Sequence, residues 1–303
     1  MNLLSRVFGR RKSERVELGP PLVQGPPQAQ PSEVVNRLLR ERDDLRRQLK
    51  HSTAKVEFTP GREFVCVLPF CAGDEHRFRD LLLWICMLGQ VPARVLVVIP
   101  KSYQASPHIR SLIEAAFLEH ELLWTPFDLP NEAWPIGPNW MFLTAAQYCR
   151  RKNYDFWLNE PDCIPLVPGW FEAIRDEYRA CGKPYMGFVE PAGEQHASHV
   201  AGNACYHHGV FHHLQVDHLW KAWDVAMAEV LLPRAHRTPL VHQDWGKRDH
   251  PPTFHTVDDL RRIPKEAVVF HRNKDGSLIR VLREQRQMEQ RRREGAKEDG
   301  GVK

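Results

Sequence analysis

Two apolar runs, each closed by proline, flank a helix-patterned segment, and this arrangement admits few architectures. Glu63-Phe64-Val65-Cys66-Val67-Leu68-Pro69 and Arg94-Val95-Leu96-Val97-Val98-Ile99 are nearly continuous in hydrophobicity. A strand reads this way when both of its faces are covered. Between them, Arg77 to Leu88 sets Leu81, Leu82, Ile85 and Leu88 on one helical face, and Gly89 ends it. Pro107 to Glu119 predicts a second helix, with Ile109, Leu112, Ile113, Ala116 and Phe117 inward, and Asn139 to Arg151 a third. Tyr154 to Leu158 is a third strand, Pro168 to Ala180 a helix with proline in its first turn, and Tyr185 to Val189 a further strand. Strands alternating with helices predict an α/β class, a mostly parallel sheet with helices on both faces. Ligands of such sheets bind outside the carboxyl ends of the strands, so the loops there are where chemistry is sought.

The rest of the chain is arranged around that domain, which spans residues 62–282. Residues 1–31 form a basic, Pro-rich tail (Arg10-Arg11-Lys12, Gly19-Pro20-Pro21, Gly25-Pro26-Pro27) that cannot bury a core. Ser32 caps an expected charged helix over 32–50, with Val35, Leu38, Leu45 and Leu49 on one seam, a possible short coiled coil through which the chain could self-associate. Residues 283–303 read as an Arg/Glu-rich tail. The formal net charge of +4 sits largely near these ends, so nucleic acid is not an expected partner. The cysteines number seven, form no CxxC pair and lie mostly in apolar runs, which predicts free thiols and a reducing, cytoplasmic setting. No secretory signal and no transmembrane segment is read from the sequence.

The acidic loop after the third strand carries the strongest chemical signal. Tyr154-Asp155-Phe156-Trp157-Leu158-Asn159 runs into Glu160-Pro161-Asp162, so a buried strand delivers Glu160 and Asp162 to the sheet edge. In extended backbone the two point to one side, and together they can ligate a hard divalent cation. The competing reading is a solvated turn with an Asx hydrogen bond. The loop Pro69-Phe70-Cys71-Ala72-Gly73-Asp74 is small enough to let backbone approach a nucleotide, or it is simply a strand-to-helix turn. It has neither the P-loop lysine nor the dinucleotide glycine spacing.

Later segments supply further candidates. Asp224, among Trp220 and Trp223, is either a catalytic base or a helix cap that pairs with Lys221. Asp244 in Val241-His242-Gln243-Asp244 is a lower-ranked carboxylate. The histidines His196, His199, His207, His208, His212, His213 and His218 lack the spacing of a zinc motif, and only His199, at the start of a strand, is kept as facing the cleft. Val268-Val269-Phe270-His271 delivers His271 to Arg272-Asn273-Lys274-Asp275-Gly276-Ser277-Leu278. His271 can ligate a metal and Lys274 can meet phosphate, or the stretch is a hairpin turn with a solvated lysine.

The strand ending Leu68-Pro69, the Glu160-Pro161-Asp162 loop, the Pro168-Gly169-Trp170 helix start and His271 before Lys274-Asp275-Gly276-Ser277-Leu278 resemble, in this order, the GT-A family of nucleotide-sugar glycosyltransferases, phage and bacterial glycosyltransferase-like proteins among them. The resemblance spans roughly residues 62–282. It implies a GT-A-like (Rossmann-like) fold, a UDP- or GDP-sugar donor, an unknown acceptor and a Mn2+ or Mg2+ ion. By position it implies that Pro69 and Phe70 border the nucleotide with Glu160 and Lys274. Glu160, Asp162 and His271 would hold the metal; the resemblance marks no catalytic base, and Asp224 and Asp244 stand as candidates for that role from their own surroundings. Here Glu-Pro-Asp stands where the family has Asp-x-Asp. Two other functions fit the same segments: a nucleotidyltransferase, which needs basic residues along a triphosphate, and a non-catalytic nucleotide- or glycan-binding scaffold with the same fold.

Overall fold

The computed structural model describes residues 58–126, 135–193, 196–214, 221–244 and 251–299, with side chains described to 294. The expected N-terminal tail and charged helix, the self-association read from that helix, and Trp220 lie outside the described residues. The strands are β1 (Glu63–Pro69), β2 (Val91–Ile99), β3 (Phe117–Trp124), β4 (Tyr154–Leu158), β5 (Cys163–Pro165), β6 (Tyr185–Glu190), β7 (His199–Tyr206), β8 (Ala235–Arg237), β9 (Val241–Gln243) and β10 (Val269–His271). The helices are α1 (Glu75–Leu88), α2 (Pro107–Ala116), α3 (Ile136–Lys152), α4 (Trp170–Cys181), the short α5 (Trp223–Ala226) and α6 (Ala228–Leu231), and α7 (Ser277–Asp299).

A seven-stranded sheet runs β3-β2-β1-β4-β7-β6-β8. Pairs β2/β3, β1/β2, β1/β4 and β6/β8 are parallel, and only β7 runs against its neighbours. This is the mostly parallel α/β fold expected from the alternation of strands and helices. Alternation along the central strands splits the core in two. Phe64, Cys66 and Leu68 of β1 meet Phe78, Leu81 and Ile85 of α1, Ile109 and Ile113 of α2 and Phe171 of α4 in one cluster. On the opposite face Phe142 of α3 stacks on Trp223 at 3.7 Å and meets Phe156 and Tyr206 at 6.0 and 5.1 Å. Both faces are therefore sealed, which is why β1 and β4 are apolar at every position that does no polar work.

Several sequence expectations change. The second helix stops at Ala116 instead of running to Glu119, and Phe117, at φ −131° and ψ 147°, starts β3. β3 is an edge strand, with Leu118 and Trp124 exposed and Glu119, His120 and Glu121 between them. One side of an edge strand is unpaired, so its pattern carries little of the burial signal that marks β1 or β2. The segment 271–277 is a strand-to-helix connection and not a hairpin: Gly276 adopts φ 71° and Asp275 accepts from Ser277 N and Oγ at 3.0 and 2.7 Å. The expected boundary at 282 falls inside α7, whose Leu278, Ile279, Val281 and Leu282 pack on the core. Every cysteine is free, as expected.

At the amino end of β4, Asp155 ties the edge of the sheet together. It is 2% exposed and accepts from Gly61 N (2.8 Å), His208 N (3.0 Å) and His208 Nδ1 (2.9 Å). A Cβ on Gly61 would lie 2.7 Å from Asp155 N, so the close approach requires glycine. Beside it, His207 Nε2–H donates to Thr59 O at 2.8 Å, and Nδ1 accepts from Gly209 N at 3.1 Å. Both nitrogens are used, so although Asp155, His207 and His208 lie close enough to hold an ion, the group is a structural clamp.

Burial lowers the pKa of His207 below its ordinary 6.5; Asp155 and the Thr59 bond work against that, and His208 adds to it. A folded-state pKa below the unfolded one means that the unfolded chain binds the extra proton. The associated stability is present above pH 6.5 and is lost as pH falls through the folded value. Melting curves should drop as pH goes from 7.5 to 5, and His207→Gln should flatten that slope. An unchanged slope in the variant would remove His207 from the account.

Candidate metal and nucleotide site

The carboxyl edge of β4 is shaped by one buried amide. Asn159, fully buried, accepts from Trp157 Nε1 at 3.0 Å and donates to Cys163 O at 2.9 Å and Glu160 O at 3.1 Å. Cys163 N donates to Glu160 O at 2.9 Å, so Glu160-Pro161-Asp162-Cys163 is a closed turn and not the extended stretch expected from alternation. The two acids still converge, through the turn. Because β7 runs against β4, its residues up to Asn203 lie at the same edge. There Asn203, fully buried, accepts from Glu160 N at 2.7 Å and donates to Glu160 Oε2 at 3.0 Å.

A small sheet, β5-β10-β9, supplies the rest. Its register sets His271 of β10 opposite Cys163 on one side and Gln243 on the other. His271 Nε2 therefore reaches Glu160 Oε2 at 3.2 Å and Asp162 Oδ1 at 3.4 Å, while Lys274 Nζ reaches Asp162 Oδ2 at 3.2 Å. Arg272 at φ 85° turns the chain, and Arg272 N and Asn273 N both donate to Asp162 O at 3.1 Å. Asp162 and His271 are thus joined through backbone as well as side chains. A pocket of about 180 Å³ opens beside them, lined by Arg77, Pro161, Lys274 and Gly276 among others.

Electrostatics follow from this crowding. Burial opposes the charge on His271, but the Asp162 and Glu160 carboxylates outweigh it and raise the imidazole to about 9. Burial likewise works against the Asp162 carboxylate, and His271 and Lys274 bring it well below the usual carboxylate range. The cation-free site is then an acid–imidazolium–acid cluster in which a proton stands between two carboxylates. Glu160, Asp162 and His271 offer two oxygens and one nitrogen within 4.8 Å of one another. Carboxylate oxygens with one imidazole suit a manganese-like divalent ion, and the bound Nδ1 of His271 leaves Nε2 as the ligand atom, so the residues fit such an ion.

The remaining candidates are dispersed. Phe70 is 1% exposed with its ring stacked on Phe78 at 3.9 Å, and Pro69 is buried at the end of β1; what this loop presents at the edge is its Ala72–Asp74 turn. Asp224 is partly buried, near enough to Glu160 for the two charges to act on one another. Its Oδ2 is 3.8 Å from Nε2 of His199, whose Nδ1–H donates to Ala197 O at 3.0 Å. Burial raises the Asp224 carboxyl and His199 opposes it. Asp244 follows β9, where its charge acts on Arg272 together with those of Asp162 and Glu190. Asn203, Gln243, Glu190 and Asn159 had gone unremarked as site residues. Their signal was a polar residue inside an otherwise buried run, as in His199-Val200-Ala201-Gly202-Asn203-Ala204.

The fold and site together define an α/β domain with an acid–acid–imidazole cluster at the carboxyl edge of its parallel strands. No protein-family model matches the sequence, and no curated protein matches it. Among solved structures the chain is similar to the galactosyltransferase LgtC in complex with donor and acceptor sugar analogs (8% identity, 70% of this chain and 88% of that one, TM-score 0.42). It is similar to mouse xyloside xylosyltransferase 1 (10%, 70% and 98%, TM-score 0.41) and to 4-diphosphocytidyl-2C-methyl-D-erythritol synthase of Anaerococcus prevotii (7%, 59% and 87%, TM-score 0.41). Among the described residues no helix is long and apolar enough to cross a membrane.

Proposed function

We propose that this protein is a glycosyltransferase that moves a sugar from a UDP- or GDP-sugar to an acceptor with the help of a divalent cation, Mn2+ or Mg2+. The observation that carries the reading is the meeting of Glu160, Asp162 and His271, brought from separate segments to the sheet edge where ligands of parallel α/β folds bind. A cation held by these residues would neutralise charge on a leaving nucleoside diphosphate. Asn203 holds the Glu160 carboxylate in place and Lys274 adds positive charge at the pocket mouth, where phosphate oxygens would lie. Asp224, its carboxyl raised by burial beside His199, is the group we assign to accept the acceptor's proton. Asp244, drawn to Arg272, is the weaker choice. Against a nucleotidyltransferase, Pro69–Asp74 contains no basic residue, and nearby Arg77 is already bonded to Asp74 Oδ1 and Lys274 O at 2.7 and 3.0 Å.

Calorimetric titration of UDP and of GDP, with and without Mn2+, tests the reading. Micromolar binding of one nucleotide that strengthens at least about tenfold with the ion is expected, since an ion held by Glu160, Asp162 and His271 would offset the diphosphate charge. A folded protein that binds neither nucleotide would point to a non-catalytic scaffold with this fold.

A further inference from the structure

Behind the ligand cluster lies a second row of buried polar groups with no evident packing purpose. Glu190, the last residue of β6, is 6% exposed, and its Oε2 accepts from Gln243 Nε2 at 2.9 Å. Gln243, also 6% exposed, accepts from His271 Nδ1–H through Oε1 at 2.6 Å. An ionised carboxylate is an acceptor only, so Glu190 dictates which end of the Gln243 amide it meets. The amide nitrogen must face Glu190, and the amide oxygen is left for His271. A carbonyl oxygen in turn accepts only, which obliges Nδ1 of His271 to carry a proton and turns Nε2 toward Glu160 and Asp162. Were the amide to rotate by half a turn, its NH2 would face Nδ1, the proton would move to Nε2, and the imidazole could no longer ligate.

We infer that Glu190 and Gln243 are positioning residues that fix the amide of Gln243 and, through it, the ring and tautomer of His271. The purpose of this relay, to present a bare Nε2 to a divalent cation, rests on the metal-assisted reading above. Outer partners of ligating histidines commonly act in this way, and their loss weakens metal binding about 10- to 100-fold. Glu190 is far from the His271 ligand atom in the bonding sequence, and nothing about its position in β6 marks it as a site residue; the geometry alone does.

The test uses the full chain and two readouts. In calorimetry with Mn2+ alone, Glu190→Leu, which removes the acceptor and frees the amide, should weaken binding about 10- to 100-fold, whereas Glu190→Gln, which keeps an acceptor oxygen, should stay within about threefold. Nitrogen-15 NMR of the cation-free protein, whose His271 imidazolium carries a proton on both nitrogens, should show a slowly exchanging Nδ1–H in wild type and Glu190→Gln, and exchange at least about tenfold faster in Glu190→Leu, where the freed amide no longer holds it. Gln243→Leu carries the same expectation as Glu190→Leu and serves if that variant does not fold. Unchanged exchange of the Nδ1–H in folded Glu190→Leu, or weakening of Mn2+ binding by Glu190→Gln as severe as by the leucine variant, overturns the inference. If wild type binds no Mn2+, the metal reading fails by itself, and the NMR signal still decides whether Glu190 governs the imidazole.

Discussion

Asp162→Asn should lower Mn2+-dependent nucleotide affinity by more than about 100-fold while leaving the far-ultraviolet circular dichroism of the protein unchanged. The carboxylate is 6% exposed, pinned between His271 Nε2 at 3.4 Å and Lys274 Nζ at 3.2 Å, and its backbone carbonyl accepts from Arg272 and Asn273. Asparagine keeps that backbone bonding and nearly the same volume, so the turn survives. What it cannot do is oppose a divalent charge, and it leaves Glu160 as the sole carboxylate beside His271. Calorimetry with the better-binding nucleotide, with and without Mn2+, reads the effect directly. Affinity within threefold of wild type would sink the assignment of Asp162 as a ligand.

Asp155→Ala should be strongly destabilising, by about 3 kcal/mol, because it removes a buried carboxylate that accepts from three partly buried donors. Gly61 N, His208 N and His208 Nδ1 all end on this carboxylate. A domain of this size should lose roughly 10 °C in melting midpoint for such a cost. Differential scanning calorimetry at pH 7.5 checks it, and a shift under about 2 °C would show that Asp155 is not the clamp described. The two predictions separate the ends of β4: its amino end holds the fold together, and its carboxyl end presents the chemistry.

The central strands were legible in the chain because β1, β2 and β4 are covered on both faces, and burial on both faces leaves an unbroken apolar run. The helices α1 and α2 were legible through one-sided periodicity; α4 was legible too, although it starts at Trp170 behind a Gly169 cap, so Pro168 precedes the helix instead of standing in its first turn. The edge strand β3 was not, since half of its positions meet solvent and its ends mix Phe117, Leu118 and Trp124 with charges. The antiparallel insertion of β7 between β4 and β6 was equally hidden, because strand order is a matter of long-range pairing that no local pattern records.

For the site, the sequence by itself determined which residue types arrive at strand ends: Glu160 and Asp162 after β4, His271 at the end of β10 and Lys274 after it. Local hydrophobicity dictates where a strand stops, and the residues that follow are then at an edge. Only the tertiary structure decided that these two edges are the same place. The pairing of β10 with both β5 and β9 brings His271 against Asp162 and Gln243, and Asn203 arrives from a strand running the other way. Hydrogen-bond register across sequence-distant strands selects such neighbours, and no spacing along the chain encodes it.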